Sequence, residues 1–397
     1  MITLNTIKTV LIVTSIVGLS ACGSNNHRPT PTPTPDPAPT PAPAPSTPDF
    51  QAMLDDAAGD AVPGIALSIS SPDIDFVGAA GVADTESLSP MQSYSLMPAG
   101  SAGKKATALL VASLHNEGLL DIDGLITNWL PQTLLDQIPH SESMTIRQLM
   151  NHTAGLHDYL DDDTAGEWFE AGIGNIDELK TDIDALRFIL NKPAYFEPGS
   201  DFQYSNTGYL LAGLIMDEVL GEHHHLALRQ RVLDVIGMNT TYYNGIENEQ
   251  GDIISGYTLF DDELTNTKPF YDNVGVADAP LASNVAEMTL LMEAIVNVDS
   301  PLDSSTRNML MAEDAWVDTN EANPLFAQYS MGMFRGKLNG LTVYHHGGDE
   351  AGYKTEHMYI EDIETTITLF ANCNGYDSCR VQIDNLMGQV LAGLISQ

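Results

Sequence analysis

The segment Pro198-Gly199 is followed by Tyr204-Ser205-Asn206, which stands just before an apolar run that begins at Tyr209. Earlier in the chain lies Ser101-Ala102-Gly103-Lys104, and well downstream lies His346-Gly347-Gly348. The three segments supply a hydroxyl, an amine at helical spacing from it, a phenol with a carboxamide, and a glycine-rich strand end. This is the set of groups that a serine acyl-transfer site without a catalytic histidine base requires.

The first segment places a nucleophile beside a base. Ser101 precedes a helix-forming stretch, so it is predicted at a helix N-terminus, where backbone N–H groups and the helix dipole favour a developing oxyanion. Lys104 lies one turn further on the same face. Burial lowers the proton affinity of an amine, which would let Lys104 accept the serine proton. The Ser-x-x-Lys pattern by itself is common on helix surfaces, and it gains weight only from the other two segments.

The other two segments add a proton relay and a substrate-binding edge. Tyr204 beside an ammonium can carry partial phenolate character and relay protons, and the Asn206 carboxamide can hold both the lysine and a substrate carbonyl. Gly347 and Gly348 follow a predicted strand and allow a substrate backbone to approach closely. The backbone N–H of Asp349 is predicted to be the second oxyanion donor. Taken singly, the Tyr-x-Asn unit is also explained as an aromatic helix cap that packs into the core, and a lone His-Gly-Gly is more often a loop.

The hydrophobic pattern predicts strands at both ends of residues 49–397 and helices in between. An N-terminal helix and a hairpin are followed much later by further strands and a closing helix, which together favour one antiparallel sheet flanked by helices, an α+β arrangement within the broad α/β class. The predicted strands are 65–70, 74–79, 341–344, 357–360 and 365–371. The predicted helices are 50–60, 106–116, 146–150, 185–190, 209–219, 286–296 and 381–395.

Taken as a set, these segments resemble the serine β-lactamase and penicillin-binding superfamily, in particular its class C, DD-peptidase and esterase branch. Further matching stretches occur at 104–108, 117–121, 145–156, 204–209 and 346–353, in the same order along the chain. The resemblance covers most of residues 49–397. It implies a β-lactamase/transpeptidase-like fold with a sheet part at about 49–95 and 325–397 and a largely helical inserted part at about 96–324.

By that resemblance, Ser101 is the nucleophile that forms an acyl-enzyme, Lys104 and Tyr204 share the general-base and relay roles, and Asn206 positions the substrate. Which of Lys104 and Tyr204 is the main base stays open. The family commonly binds a substrate carboxylate through a lysine and a hydroxyl, and these positions are His346 and Gly347 here. A neutral imidazole binds a carboxylate weakly. The expected substrate is therefore a D-peptide, amide or ester, small or peptidoglycan-derived, with weak β-lactam turnover at most.

Two alternatives remain. The stretch Ala99-Gly100-Ser101-Ala102-Gly103 is similar to a relaxed Gly-x-Ser-x-Gly elbow, which with His346 downstream would make an α/β-hydrolase-type esterase. That interpretation needs a buried strand before Ser101 and leaves Tyr204 unexplained. The other alternative is a catalytically weak, tethered cell-envelope binding protein. The presence of Ser101, Lys104 and Tyr204 argues against a loss of activity.

The N-terminus predicts export. Lys8 precedes an apolar stretch at 10–19 that is shorter than the roughly 20 residues of a spanning helix, which is typical of a signal peptide at 1–21. Leu19-Ser20-Ala21-Cys22 resembles the bacterial lipobox, in which Cys22 is lipidated; an ordinary signal peptide that leaves Cys22 as a free thiol is the alternative. Residues 22–48 form a Pro/Thr/Ala-rich tether of polyproline II type. The residue after the cysteine is Gly23 and not aspartate, which by resemblance to lipoprotein sorting implies anchoring to the outer membrane, facing the periplasm, if the source is Gram-negative.

Composition limits the partners. The 397 residues carry 54 acidic and 16 basic side chains, a formal charge of −38, so the chain is expected to repel nucleic acid. In an oxidising compartment, Cys373 and Cys379 are predicted to form a small loop-closing disulfide that would tie a hairpin, with two free thiols as the alternative. His223-His224-His225 is predicted to be a polar helix start rather than a metal site. No metal or cofactor is expected, and the oligomeric state does not follow from the sequence.

Overall fold

The computed structural model describes residues 48–260 and 262–395. The predicted signal peptide, the lipidated Cys22 and nearly all of the predicted tether lie outside the described residues. Among the described residues, none of the helices has both the length and the apolar character needed to cross a membrane.

The strands of the described chain lie mainly near its two ends. They are β1 (Gly64–Ser70), β2 (Asp75–Gly81), β3 (Met97–Pro98), β4 (Tyr242–Tyr243), β5 (Tyr257–Phe260), β6 (Glu263–Asn266), β7 (Leu281–Ser283), β8 (Val317–Asp318), β9 (Gln328–Tyr329), β10 (Phe334–Leu338), β11 (Leu341–His345), β12 (Gly348–Glu350), β13 (Tyr353–Ile360) and β14 (Thr365–Ala371). The predicted strands are confirmed to within four residues at their ends.

The helices fill the middle of the chain and its two ends. They are α1 (Phe50–Ala57), α2 (Lys104–Asn116), α3 (Gln132–Leu135), α4 (Ile146–Met150), α5 (Ala165–Gly174), α6 (Asp182–Leu186), α7 (Thr207–Leu220), α8 (His225–Leu228), α9 (Asp234–Ile236), α10 (Lys268–Tyr271), α11 (Val285–Val296), α12 (Ser304–Met311) and α13 (Asp377–Ile395). The predicted helix at 185–190 is displaced, because α6 begins at Asp182 with Thr181 in a capping box.

A large antiparallel sheet joins the two ends of the described chain. Its strand order is β2-β1-β14-β13-β11-β10-β9-β8, and β12 extends the edge of β13. In β1 the side chains alternate between the two faces. Ile65, Leu67 and Ile69 pack with α1 and α13 in one hydrophobic core. The opposite face carries α11, where the Thr289 hydroxyl donates to Oγ of Ser68 at 3.0 Å and is hydrogen-bonded to the hydroxyl of Thr368 at 2.8 Å. The predicted antiparallel sheet with helices on its faces is therefore confirmed.

The inserted part is not helical throughout. Two small sheets lie within it, β3-β7-β4 and the hairpin β5-β6. In addition, strand β8 of the large sheet precedes the predicted boundary at residue 325. Strands of two or three residues are too short to produce a hydrophobic alternation, so the sequence pattern does not reveal them. The pairing of β3 with β7 fixes Met97 and Pro98 immediately before Ser101.

Cys373 and Cys379 are joined by a disulfide. Cys373 follows β14 and Cys379 lies in the first turn of α13. The bond therefore ties the last strand to the last helix, and the expectation that it would tie a hairpin is wrong.

Candidate active site

Ser101 lies in a 3-10 turn, Gly100–Gly103, that continues directly into α2. Gly100 adopts a φ of +55°, and a Cβ there would lie 3.1 Å from the Cα of Gly348, so this turn touches the third sequence segment. A Cβ on Gly103 would lie 3.0 Å from Cδ of Pro280. Close packing against Pro280 thus explains why a poor helix former stands in the first turn.

The Ser101 hydroxyl receives two hydrogen bonds. Nζ of Lys104 donates to Oγ of Ser101 at 3.1 Å, and the hydroxyl of Tyr204 donates to the same oxygen at 3.0 Å. The Tyr204 side chain comes from the turn before α7, and Lys104 begins α2. The structure therefore brings the first two sequence segments together around one oxygen atom.

Lys104 is completely buried, and its ammonium hydrogens have further acceptors. Nζ donates to Oδ1 of Asn206 at 2.7 Å and to the backbone carbonyl of Asp278 at 2.8 Å, and Oδ2 of Asp278 lies 3.7 Å away. Burial lowers the pKa of Lys104, because an ammonium is poorly solvated there, while the charges of Asp278 and Asp158 oppose that shift. A lowered pKa increases the fraction of Lys104 in the neutral form, which is the form that can accept a proton.

Tyr204 is expected to keep its proton in the free protein. Burial raises its pKa well above the usual value, and the hydrogen bond to Ser101 only partly opposes this. The ring lies 4.2 Å from that of His152, which is itself kept neutral because burial lowers its pKa. The direction of these shifts does not favour the phenolate character inferred from the sequence, and it makes Lys104 the better base.

Asn206 is fixed through both ends of its carboxamide. Its Oδ1 accepts from Lys104, and its Nδ2 donates to Asp158 at 3.0 and 3.3 Å. Burial raises the pKa of Asp158 to about 6. Asp158 and Asp278 were not predicted from the sequence, because neither belongs to a recognisable motif. Asp278 lies in the turn before β7, and only the fold brings it against Lys104.

The third segment runs along the edge of the sheet beside Ser101. The backbone N–H of His346 donates to the carbonyl of His357, and the register pairs Gly348 with Thr355. Because successive residues of a strand direct their N–H groups to opposite sides, the N–H of Asp349 faces away from β13. A Cβ on Gly100 would lie 3.3 Å from that nitrogen. The N–H of Asp349 is thus placed next to the Ser101 turn, as an oxyanion donor needs to be.

His346 is buried but lines the cavity in front of Ser101. Its Nδ1 is hydrogen-bonded to the carbonyl of Gly347 at 2.9 Å, while its Nε2 has no hydrogen-bond partner among the described residues. Burial and the nearby Lys105 and Lys104 lower its pKa well below the usual value. The imidazole is therefore neutral at pH 7 and offers no positive charge to a substrate carboxylate.

Lys105 is a second buried lysine that the sequence analysis did not assign. Its Nζ donates to the carbonyl of His346 at 3.2 Å, which links α2 to the third segment. Burial and the charge of Lys104 lower its pKa well below the usual value. The sequence does contain a signal for a second buried lysine, namely two consecutive lysines at the start of an apolar helix. When such a helix is buried, the two side chains cannot both point to solvent.

The cavity has a volume of about 950 Å³ and is lined by Ser101, Tyr204, Asn206, His346, Asp349 and Glu350 among others. Of the sequence-predicted site residues, Lys104 lies behind this wall rather than in it. Gly347 lines the cavity, and Gly348 is buried against Ala99, whose carbonyl would lie 2.1 Å from a Cβ at that position. All the predicted site residues of the three segments are therefore brought to one place.

Two groups of potential metal ligands occur elsewhere in the described chain. One is Asp217 with His223 and His224, and the other is His157 with Asp161 and Asp163. Both ring nitrogens of His224 already have partners, Asp217 at 2.8 Å and the hydroxyl of Tyr243 at 2.8 Å. His224 occupies the N-cap position of α8, although its side chain makes no capping hydrogen bond, so the three histidines stand at a helix start.

The comparison with family models decides the classification. The model of the beta-lactamase family matches residues 50–392, which is most of the chain and contains all three segments of the site. The chain belongs to the beta-lactamase family.

Individual relatives are more distant. Penicillin-binding protein 4* of Bacillus subtilis is 31% identical over 182 residues, covering 45% of this chain and 37% of its own. Esterase EstB of Burkholderia gladioli is 31% identical over 192 residues, covering 48% of this chain and 49% of its own. The chain thus spans about half or less of the length of these curated relatives.

Solved structures share the fold. D-amino acid amidase from Ochrobactrum anthropi SV3, complexed with L-phenylalanine, superimposes with a TM-score of 0.72 at 21% identity, covering 87% of this chain and 98% of its own. The octameric penicillin-binding protein homologue from Pyrococcus abyssi gives 0.71 at 23% identity, covering 86% and 76%. The β-lactamase/transpeptidase-like fold is confirmed.

The fold overturns the α/β-hydrolase alternative. A nucleophile elbow requires a buried parallel strand that turns sharply into a helix, whereas Ser101 follows the two-residue antiparallel strand β3. His346 also points its Nδ1 to the Gly347 carbonyl, and Ser101 receives its hydrogen bonds from Lys104 and Tyr204 instead.

Proposed function

We propose that this member of the beta-lactamase family is a serine hydrolase that acts through an acyl-enzyme on Ser101 and accepts a D-peptide, amide or ester. The observation that carries the proposal is the pair of hydrogen bonds to Oγ of Ser101, from Lys104 at 3.1 Å and Tyr204 at 3.0 Å. The substrate classes named for the relatives, an esterase and a D-amino acid amidase, support this choice.

In the proposed reaction, neutral Lys104 accepts the proton of Ser101 as Oγ attacks the substrate carbonyl carbon. The carbonyl oxygen becomes an oxyanion held by the N–H groups of Ser101 and Asp349. The C–N or C–O bond then breaks, and the leaving group takes a proton relayed from Lys104 through the Tyr204 hydroxyl. Water attacks the acyl-enzyme by the reverse path, and Ser101 regains its proton.

Weak β-lactamase activity is part of the proposal. His346 is neutral, Gly347 has no hydroxyl, and Lys354, which lines the cavity, is already paired with Asp349 and Glu356, so among the described residues the carboxylate of a β-lactam finds no unpaired cation. We expect a nitrophenyl ester and a D-alanine anilide to be hydrolysed with much higher kcat/KM than nitrocefin. Ser101→Ala abolishes all of these activities in the same assays. Efficient nitrocefin turnover by the wild-type protein contradicts the proposed specificity.

The alternative of a cell-envelope binding protein makes the opposite prediction. A protein that only binds would hydrolyse none of the esters, anilides or lactams, and Ser101→Ala would behave as the wild type. Ser101, Lys104 and Tyr204 are all present, and the last two are hydrogen-bonded to the Ser101 hydroxyl, which favours the hydrolase.

We also propose that the protein is exported and anchored to the outer membrane through a lipid on Cys22, facing the periplasm. The lipobox-like residues 19–22 and the following proline-rich tether support this. In a Gram-negative host fed labelled palmitate, the wild-type protein should carry the label and Cys22→Ala should not. An unlabelled wild-type protein released in soluble form contradicts the anchor without affecting the proposed chemistry.

A further inference from the structure

The wall of the cavity beside Ser101 is strongly acidic. Asp278, Asp349 and Glu350 all line it. Glu350 lies close to the reacting group, because its Cγ is 3.3 Å from the position that a Cβ on Gly100 would occupy, and Gly100 directly precedes Ser101. A substrate whose carbonyl carbon reaches Oγ of Ser101 must therefore lie next to these carboxyl groups.

The cations near this wall are already engaged. Lys354 is the basic side chain among the described residues that line the cavity, and its Nζ forms ion pairs with Asp349 at 2.8 Å and Glu356 at 3.1 Å. Lys104 lies behind the wall, with its hydrogens directed to Ser101, Asn206 and the carbonyl of Asp278. Neither lysine is available to a substrate carboxylate.

Glu350 is the carboxyl group of the wall without a direct ion pair among the described residues, although the charge of Lys104 acts on it and opposes the upward shift of its pKa. Asp278 lies 3.7 Å from Lys104 and Asp349 is paired with Lys354, whereas Glu350 forms no ion pair with any of the described residues and is hydrogen-bonded to Tyr271. Burial, and secondly the charge of Asp278, raise the pKa of Glu350 to about 7. A cation brought by the substrate would supply the missing partner and favour the ionised carboxylate.

We propose that Glu350, with Asp278 beside it, forms a subsite for a positively charged group, and that the preferred substrates carry a free ammonium group near the scissile carbonyl. This proposal rests on the proposed serine hydrolase function and narrows its substrate class. It assigns to Glu350 a role in substrate selection, because an ammonium gains a charged hydrogen bond there while a carboxylate meets repulsion.

The test compares three anilides that differ in charge. D-alanine p-nitroanilide carries an ammonium, its N-acetyl derivative is neutral, and its N-succinyl derivative carries a carboxylate. We expect the wild-type kcat/KM to fall at least tenfold from the ammonium to the neutral compound and to fall again for the carboxylate. Glu350→Gln keeps the size of the side chain and should reduce the preference for ammonium over neutral substrate at least tenfold.

A control variant, Glu142→Gln, removes an exposed carboxylate that does not line the cavity and should keep the wild-type preference. Equal or absent turnover of the ammonium compound, a preference for the carboxylate, or an unchanged preference in Glu350→Gln overturns the proposal. Labelling by a fluorophosphonate distinguishes a failure of the ammonium subsite from a failure of the proposed serine hydrolase function. A wild-type protein that is labelled but lacks the ammonium preference overturns this subsite alone, and one that is never labelled overturns the serine hydrolase and the subsite together.

Discussion

At the scale of residues, the chemistry depends on the protonation state of Lys104. Its amine lies 3.1 Å from Oγ of Ser101 and is fully buried. Burial lowers its pKa, and the surrounding carboxylates oppose this shift only in part. Tyr204, at 3.0 Å from the same oxygen, has its pKa shifted upward and keeps its proton. The two groups therefore suit different tasks, Lys104 that of a base and Tyr204 that of a relay.

Replacing Asp278 by asparagine tests the role of Lys104. The charge of Asp278 raises the pKa of Lys104, so Asp278→Asn lowers it further. Because a base acts in its unprotonated form, the acid limb of the profile of kcat/KM against pH moves to lower pH. The measurement is ester hydrolysis across the pH range, with Glu142→Gln as a control that leaves the limb in place. A limb that stays or moves to higher pH contradicts Lys104 as the base.

Removing the Tyr204 hydroxyl should separate amide from ester substrates. Tyr204→Phe deletes the relay, so kcat for an amide, whose leaving nitrogen needs a proton, should fall by about 10²–10⁴. A nitrophenyl ester should lose much less, since nitrophenolate leaves without a proton. Tyr344→Phe, which removes a hydroxyl from a ring packed against Trp316 and Tyr359, is the control. Equal losses for both substrates argue against a relay.

The residues of the three segments were predictable from the sequence, because each segment is local and has a characteristic composition. Asp158, Asp278 and Lys105 were not, since their contacts with Asn206, Lys104 and His346 join residues far apart in the chain. Glu350 was visible next to Asp349, but its side chain's position against Gly100 follows only from the fold.

At the scale of elements, the site depends on the contact between the Ser101 turn and strand β12. Gly348 lies against the carbonyl of Ala99, and Gly100 lies against Gly348 and Asp349. Side chains at these glycines would separate the two backbones. The distance between the N–H groups of Ser101 and Asp349 is therefore set by two positions that tolerate no Cβ.

Gly348→Ala should damage catalysis through this contact. The added Cβ would lie 2.1 Å from the carbonyl oxygen of Ala99, so β12 must shift and carry the N–H of Asp349 out of position. We expect kcat/KM to fall by about 10²–10³, the usual cost of losing one oxyanion donor. Gly166→Ala, in α5 with no neighbour within 4 Å of the new Cβ, should retain activity. Unchanged fluorophosphonate labelling of Gly348→Ala contradicts this role of the strand.

Most of the longer elements were predicted, but the ten-residue α5, the eight-residue α12 and the five-residue β10 were missed, as were the shortest strands. Helix α7 and strand β14 have enough residues to show a clear apolar pattern, and both were placed to within two residues. Strands β3, β4 and β7 have two or three residues each and are held by tertiary pairing. The turn of π-helix at Arg229–Leu233, between α8 and α9, has no local signal at all.

At the scale of the whole molecule, the two buried lysines that contact the site residues lower the free energy of unfolding. Lys105 is fully buried and its pKa is strongly lowered by burial. At pH values between its folded and unfolded pKa, the unfolded chain binds a proton that the folded chain does not, so stability falls as the pH falls. The fold offsets this cost by the large core on both faces of the sheet.

Lys105→Met should reveal that cost. Relative to wild type, the free energy of unfolding of the variant should increase as the pH falls from about 10 to 7, by up to about 1.4 kcal/mol per pH unit. Urea unfolding at several pH values measures the difference. The exposed Lys337→Met serves as the control and should show no such trend. A difference between Lys105→Met and wild type that does not depend on pH contradicts the assigned burial of an uncharged amine.

The arrangement of the whole fold followed from the sequence because strands with clear alternation stand at both ends of the chain. Strands β8, β9, β10 and β12 were missed, so the sheet was predicted to be narrower than it is. The path that brings residues 101, 204 and 346 together came from the family resemblance, because hydrophobic pattern alone does not fix which helix faces which strand.

The most direct test of the central claim is the intact mass of the purified protein after exposure to a fluorophosphonate, followed by mapping of the modified peptide. The account predicts a single adduct on Ser101, no adduct in Ser101→Ala, and strongly slowed labelling in Lys104→Ala. A wild-type protein that is never labelled, an adduct on another residue, or normal labelling of Lys104→Ala would contradict a Ser101 nucleophile activated by Lys104.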